Sequence, residues 1–127
     1  MDNARYVQHW RDTGLEDWEV ARELVANNRC RHGLFFAHLA LEKLLKAHVQ
    51  QATHDHPPRI HNLVRLAESA GLDVESYREF LGTMNYFNLL GRYDQMGATQ
   101  PPTEKVVEYM QTTGECLAWL QGQFTQR

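Results

Sequence analysis

Cysteine is scarce in this chain: Cys30 and Cys116 are the only two in 127 residues. They form no CxxC pair and no dense disulfide framework, and they read as the reduced buried thiols of a cytosolic protein. A strong basic excess is also lacking. Thirteen Lys and Arg stand against 16 Asp and Glu, a net charge of −3 with histidine neutral. A dedicated duplex-DNA binder carries a marked positive excess, so any contact with nucleic acid here has to come from a local patch. No apolar run approaches the ~20 residues of a membrane span. The opening Met-Asp-Asn-Ala-Arg-Tyr has no apolar signal-peptide core, and the expected location is cytoplasmic. No stretch alternates as a half-buried strand does. No phosphate-cradling Gly-rich loop, Walker motif or Ser-His-Asp set occurs.

What is there is helical spacing in a chain long enough for one domain, residues 1–127. The apolar share of 43% and charged share of 23% argue against wholesale disorder. A first helix is expected over about 3–27, with Val7, Trp10, Gly14, Trp18, Ala21 and Val25 stepping by three or four along one stripe. Gly14 lies on that stripe, where a close helix–helix approach accounts for it. A second helix over about 29–51 carries Leu34, Ala37, Leu41, Leu44, Leu45 and Val49 on one arc, extended by Phe36, Ala40 and Ala47. Apolar over more than half its circumference, it should be the central core element. Glu42, Lys43 and Lys46 fill the remaining, solvated sector. Phe35 and Leu39 fall at the sector's edge, and exposed apolar groups there suggest a protein–protein surface.

Pro57-Pro58 breaks the pattern. A short helix is expected over about 60–69, stopped at Ala70-Gly71. A fourth follows, capped by Asp73 or Ser76 and ended or bent by Gly91, with a loop over 92–102. A last helix begins at a capping Thr103 and frays over 121–127. The fold class is therefore all-α, an up-and-down four-helix bundle with one additional short helix.

Four groups of side chains merit weighing as sites. His54, His56 and His61, with His48 earlier, are metal-ligand types. Their spacing matches no fixed ligand pattern, so they read as a solvated loop; no metal and no cofactor are expected. Glu42, Lys43 and Lys46 read by spacing alone as a solvated face. Asn85, Asn88 and Arg92 lie within about 60° of one another on a helix, at the border of its apolar stripe. They suit a phosphate or base edge, or they satisfy local backbone. Tyr6, Trp10 and Trp18, at helical spacing, read as core rather than as base-stacking platforms.

The stretch Phe36-Ala-His-Leu-Ala40-Leu-Glu42-Lys43-Leu-Leu-Lys46-Ala47, the later step His61-Asn-Leu63 and the text Asn85-Tyr-Phe-Asn-Leu-Leu-Gly-Arg92-Tyr93-Asp94 resemble, in that order, the motifs of the HEPN family. The likeness covers nearly the whole chain and is most specific in the second helix. It implies a binding module for a nucleotide or RNA, or a partner subunit for a minimal nucleotidyltransferase, often as a toxin–antitoxin pair. It also implies a homodimer. On that reading the polar contacts are Asn85, Asn88, Arg92, Tyr93, Asp94, His61, Lys43 and Lys46, and the dimer surface involves Phe35 and Leu39.

The resemblance carries a second implication. Many HEPN proteins are metal-independent endoribonucleases using Arg, four to six residues, then His. After Arg92 those places hold Gly97, Ala98 and Thr99, and no histidine follows. Arg31 and His38 have the spacing, but at the start of the second helix and with His38 near the core arc. Without the family histidine the general acid/base for 2′-hydroxyl activation is missing. Arg92 with His61 as a substitute would leave a degenerate ribonuclease site. A structural dimer subunit without ligand is the third reading.

Overall fold

The computed structural model describes residues 2–92 and 101–124, with 91 and 92 described as helix only. The helices are α1 (Asn3–Ala26), α2 (Cys30–Thr53), α3 (Leu63–Ser69), α4 (Arg78–Arg92) and α5 (Thr103–Phe124), with a 3₁₀ turn, Glu75–Tyr77, before α4. The architecture is all-α, four long helices and one short, as the periodicity predicts.

Cross-contacts fix the directions. Asn3 Nδ2 donates to Gln50 O at 3.1 Å and Gln50 Nε2 donates back to Asn3 Oδ1 at 2.8 Å, so α1 starts where α2 ends. Arg31 donates to Leu90 O at 3.1 Å, which sets α4 antiparallel to α2. Ring pairs Phe87–Tyr109 and Tyr77–Trp119 set α5 antiparallel to α4. The bundle runs up, down, up, down, and α2 packs against α1, α3, α4 and α5.

Gly14 has the expected reason. A Cβ there would lie 3.3 Å from Ala40 O and closer still to the Leu44 side chain, so α1 and α2 could not approach this tightly with any other residue. Gly33 does the same in reverse, against Ala21 O and Val25. Asn28 adopts a left-handed φ of 61° between α1 and α2, a conformation Asn tolerates better than most residues.

Several boundaries differ from the sequence expectation. Helix α3 starts at Leu63, not near Ile60, because Asn62 is its cap and its side chain accepts from Arg65 N. Neither Asp73 nor Ser76 caps α4 directly; the 3₁₀ turn intervenes, and Asp73 Oδ1 accepts from Glu75 N. Thr103 is already helical, and α5 persists to Phe124. Phe124 is held there by His48, whose ring stacks on it at 3.7 Å and whose Nε2 hydrogen-bonds Leu120 O at 2.8 Å. Tyr6 is not core: it is 41% exposed, while Trp10 and Trp18 are partly buried.

The largest departure concerns the polar sector of α2. Glu42 and Lys46 are buried, and every residue from Leu44 to Gln50 is buried. Helices on several sides, together with the segment 54–62, leave this part of α2 almost no solvent face. Cys116 is buried, which pushes its thiol up to about 12; Cys30 is half-buried. Among the described residues no helix is long and apolar enough to cross a membrane.

Candidate functional site

The segment between α2 and α3 positions the site. His54 caps α2 with a left-handed φ of 56° and turns the chain back. His61 then lies against Glu42, nineteen positions earlier in the chain and twelve before His54 along α2. At 1.5 Å per residue that return is ~18 Å. Seven residues reach at most ~24 Å, so the segment has to stay stiff over much of its length; it turns at Arg59, where Ile60 N donates to Pro58 O at 2.9 Å. Pro57-Pro58 supplies that stiffness, since proline fixes φ and favours extended conformers. Pro57 is buried and Pro58 is exposed.

His61 is held at both its backbone and its ring. Its carbonyl accepts from His38 Nε2–H at 3.0 Å. Its ring Nδ1 meets Glu42 Oε1 at 2.9 Å. The other carboxylate oxygen, Oε2, takes Lys46 Nζ at 3.0 Å. His38, Glu42 and Lys46 are spaced four apart, so one face of α2 carries all three. The side chains of Glu42 and Lys46 are 5% and 10% exposed, whereas that of His61 is 45% exposed. A buried carboxylate therefore anchors a half-exposed imidazole, beside a buried ammonium. Lys46 Nζ also stands 5.6 Å from the Trp10 ring centroid, a cation–π distance.

The protons in this arrangement are constrained. A carbonyl only accepts, so His38 Nε2 carries a proton. Burial, the largest influence on His38, pulls its pKa down to about 4, against the opposing pull of Glu42, of Asn85 and of the His61 carbonyl. His38 is therefore neutral at pH 7, and its Nδ1 faces Glu42 Oε1 at 3.8 Å, too long for a hydrogen bond. A carboxylate likewise accepts, so His61 Nδ1 carries the proton of that bond. In neutral His61 the remaining nitrogen, Nε2, is then an acceptor or base.

The start of α3 is held in turn by α4. Asn85 Oδ1 accepts from Leu63 N at 2.9 Å, and Asn85 Nδ2 donates to Asn62 Oδ1 at 3.2 Å. Both ends of the Asn85 amide thus serve the α3 cap, one residue from His61. Asn88 lies half-buried on the same helix. Lys43 turns away to Asp17 on α1, at 2.7 Å. The Arg92 side chain, Tyr93 and Asp94 lie outside the described residues. Phe35 and Leu39 are half-buried rather than exposed, with Phe35 edge-on to Phe36 at 5.6 Å.

The structure thus joins His61, Lys46 and Asn85 from the expected polar contacts and adds Glu42, which spacing alone places in solvent, and His38. The signal for the additions is the four-residue spacing of 38, 42 and 46 beside the core arc. The loop histidines go to separate partners: His54 to Asn3, His56 to Tyr6 and His61 to Glu42. Among the described residues no three His, Cys, Asp or Glu side chains converge to hold a metal.

The fold and site define a class: a small α-helical bundle whose central helix presents a buried acid–base pair to a returning, proline-stiffened segment. A family model, the HEPN domain, matches residues 7–122, and the chain belongs to the HEPN family. No curated protein and no solved structure matches it. Membership supports, in general terms, a module that binds nucleotides or RNA or acts on RNA.

Proposed function

We propose that this domain is a nucleotide- or RNA-binding module whose polar site centres on His61, Lys46 and Glu42, with Asn85, Asn88 and Arg92 along α4 at its border. The observation that carries the reading is the half-exposed His61 ring fixed by a buried carboxylate. A group immobilised by its own protein loses little freedom on engaging a ligand. Titration with nucleotides and short RNAs tests it. His61→Ala and Arg92→Ala should each weaken binding several-fold, and equal binding by both variants and the parent protein would overturn it. As the family resemblance implies, the module would serve a minimal nucleotidyltransferase in a toxin–antitoxin-like pair and dimerise through Phe35 and Leu39. Phe35→Glu should then give a monomer on a sizing column; an unchanged dimer would remove that surface.

A second reading is favoured by one observation. The Glu42–His61 pair has the polarity of a carboxylate that orients a general base, with Nδ1–H toward the acid. His61 Nε2 would take the 2′-hydroxyl proton of RNA in metal-independent cleavage. Incubation of pure protein with RNA in EDTA decides: cleavage lost in His61→Ala supports this reading, and intact RNA with the parent protein removes it.

A further inference from the structure

We propose that the groove between α4 and α5 docks a basic amphipathic helix of a protein partner, with its apolar face on the groove's aromatic rings and its Lys or Arg side chains on an acidic rim. Both helices pack on α2 rather than tightly on one another. The opening between them holds two adjoining clefts that share Ser76. One, of about 450 Å³, is lined by Asp73, Glu75, Tyr77 and Trp119. The other, of about 380 Å³, is lined by Glu79, Phe80 and Thr83 on α4 and by Glu108, Tyr109 and Thr112 on α5. This surface is separate from the His61 site. Asn85, which serves that site, lies at least about 140° around α4 from Phe80 and Thr83, by the ~100° helical step. The proposal therefore does not rest on the nucleic-acid reading.

The floor of the groove is aromatic. Tyr77, Phe80, Tyr109 and Trp119 are half-buried and pack on the core. The rings of Tyr77 and Trp119 stand 5.5 Å apart, and Tyr109 lies 5.3 Å from the ring of buried Phe87. Rings seated on a core and open on one side make rigid anchors, because little side-chain freedom remains to be lost on binding. Ser76, Thr83 and Thr112 carry short side chains, so the space over the rings stays clear. From Lys105 to Gln123 the α5 wall is ~27 Å long, the length of a helix of about 18 residues.

The rim is acidic. Asp73, Glu75, Glu79 and Glu108 line the two clefts. Glu115 is near enough to Tyr77 to help raise its phenol pKa, behind burial and Cys116. Arg78 and Lys105 are the basic groups beside these acids, and each meets an acid of its own helical stretch at 3.5 Å, Glu75 and Glu108 respectively. Among the described residues Glu79 and Glu115 form no salt bridge. A carboxylate rim repels phosphate, which disfavours RNA here, and attracts Lys and Arg. The described residues offer no sheet edge, so a peptide cannot add as a strand. An amphipathic helix laid in a groove is the mode of recognition that two antiparallel helices provide.

The test is fluorescence anisotropy on the full chain with a labelled peptide of about 18 residues carrying Leu and Lys at helical spacing. The parent protein should bind it, and the double reversal Glu79→Lys/Glu108→Lys should weaken binding about tenfold. Both positions are exposed, so the circular dichroism of this variant should match the parent's. Reversal of two exposed acids on α1, Glu16→Lys/Glu23→Lys, should leave binding unchanged. A peptide of the same composition with its Leu residues scattered around the helix should bind more weakly. His61→Ala should bind the peptide as the parent does, so this surface and the His61 site stand or fall separately. No binding by the parent overturns the proposal. So does an equal loss in the α1 reversal, which would mean that net charge alone is read. Equal binding of the scattered peptide would show that the aromatic floor is not used, and displacement of the peptide by RNA would give the groove to nucleic acid; either result overturns the partner helix.

Discussion

The imidazole of His61 and the carboxylate of Glu42 meet at 2.9 Å, although one belongs to an irregular segment and the other to the core helix. With the His38 and Asn85 hydrogen bonds, that contact ties the start of α3 to the bundle. Glu42 is nearly inaccessible and its second oxygen belongs to Lys46. Breaking a buried pair by removing one partner is destabilising by about 3–5 kcal/mol, because the surviving charge is left without compensation. Glu42→Gln should therefore lower stability by roughly 3 kcal/mol in urea melts. A paired Glu42→Leu/Lys46→Met exchange should recover most of that loss. A Glu42→Gln protein within about 0.5 kcal/mol of the parent would mean that Lys46 is not desolvated.

His38 makes stability depend on pH with a definite sign. Its pKa moves from 6.5 to about 4 because burial disfavours the charged ring. Between those values the unfolded chain binds a proton that the folded chain refuses. Stability is thus fully present above about 6.5 and is lost as pH falls toward 4, by roughly 3 kcal/mol in all. His38→Gln can still donate to the His61 carbonyl but does not titrate. Its stability should fall less steeply across that window, and parallel pH profiles for the two proteins would exclude His38 as the source.

Much of this fold was legible because α2 announces itself: Leu34, Ala37, Leu41, Leu44 and Leu45 sit on one arc and are fully buried. Periodicity treats charge as outward, so it assigns Glu42 and Lys46 to solvent. Their cover comes from elsewhere, from Trp10 on α1 and the segment ending in His61, and nothing local to α2 reports it. Tyr6 departs from its spacing for the complementary reason. Its spacing resembles a core position, but it lies near the end of α1, where the returning segment forms a cleft wall instead of packing down. Asn85 was half readable. A border amide needs partners, yet only the tertiary structure shows that they are Leu63 N and Asn62.

Two glycines offer a controlled comparison. Gly14 sits where a Cβ would press on Leu44 and Ala40, whereas a Cβ at Gly82 would meet nothing within 4 Å. Both are helical, so Ala is favoured intrinsically by about 1 kcal/mol at each. At Gly14 overpacking, typically about 1–3 kcal/mol, should prevail and destabilise the protein. At Gly82 the propensity acts unopposed, and Gly82→Ala should raise stability by up to about 1 kcal/mol. Opposite signs in thermal melts are the expected result; stabilisation at both sites would show that the α1–α2 contact is loose.

The two prolines of the returning segment should differ in kind. Pro58 is exposed, and its main role is to restrict the unfolded chain. Pro58→Gly should therefore destabilise by about 1 kcal/mol, with the His61 contacts kept because His38 and Glu42 hold that residue independently. Pro57 is buried, so Pro57→Gly adds the loss of ring burial and should be the more harmful by about 1–2 kcal/mol. Hydrogen exchange at Leu63 N, which Asn85 holds, gives an independent readout: protection there should survive Pro58→Gly and fall in Pro57→Gly. Equal losses in both variants would show that stiffness alone, and not the seating of Pro57, keeps His61 at the site.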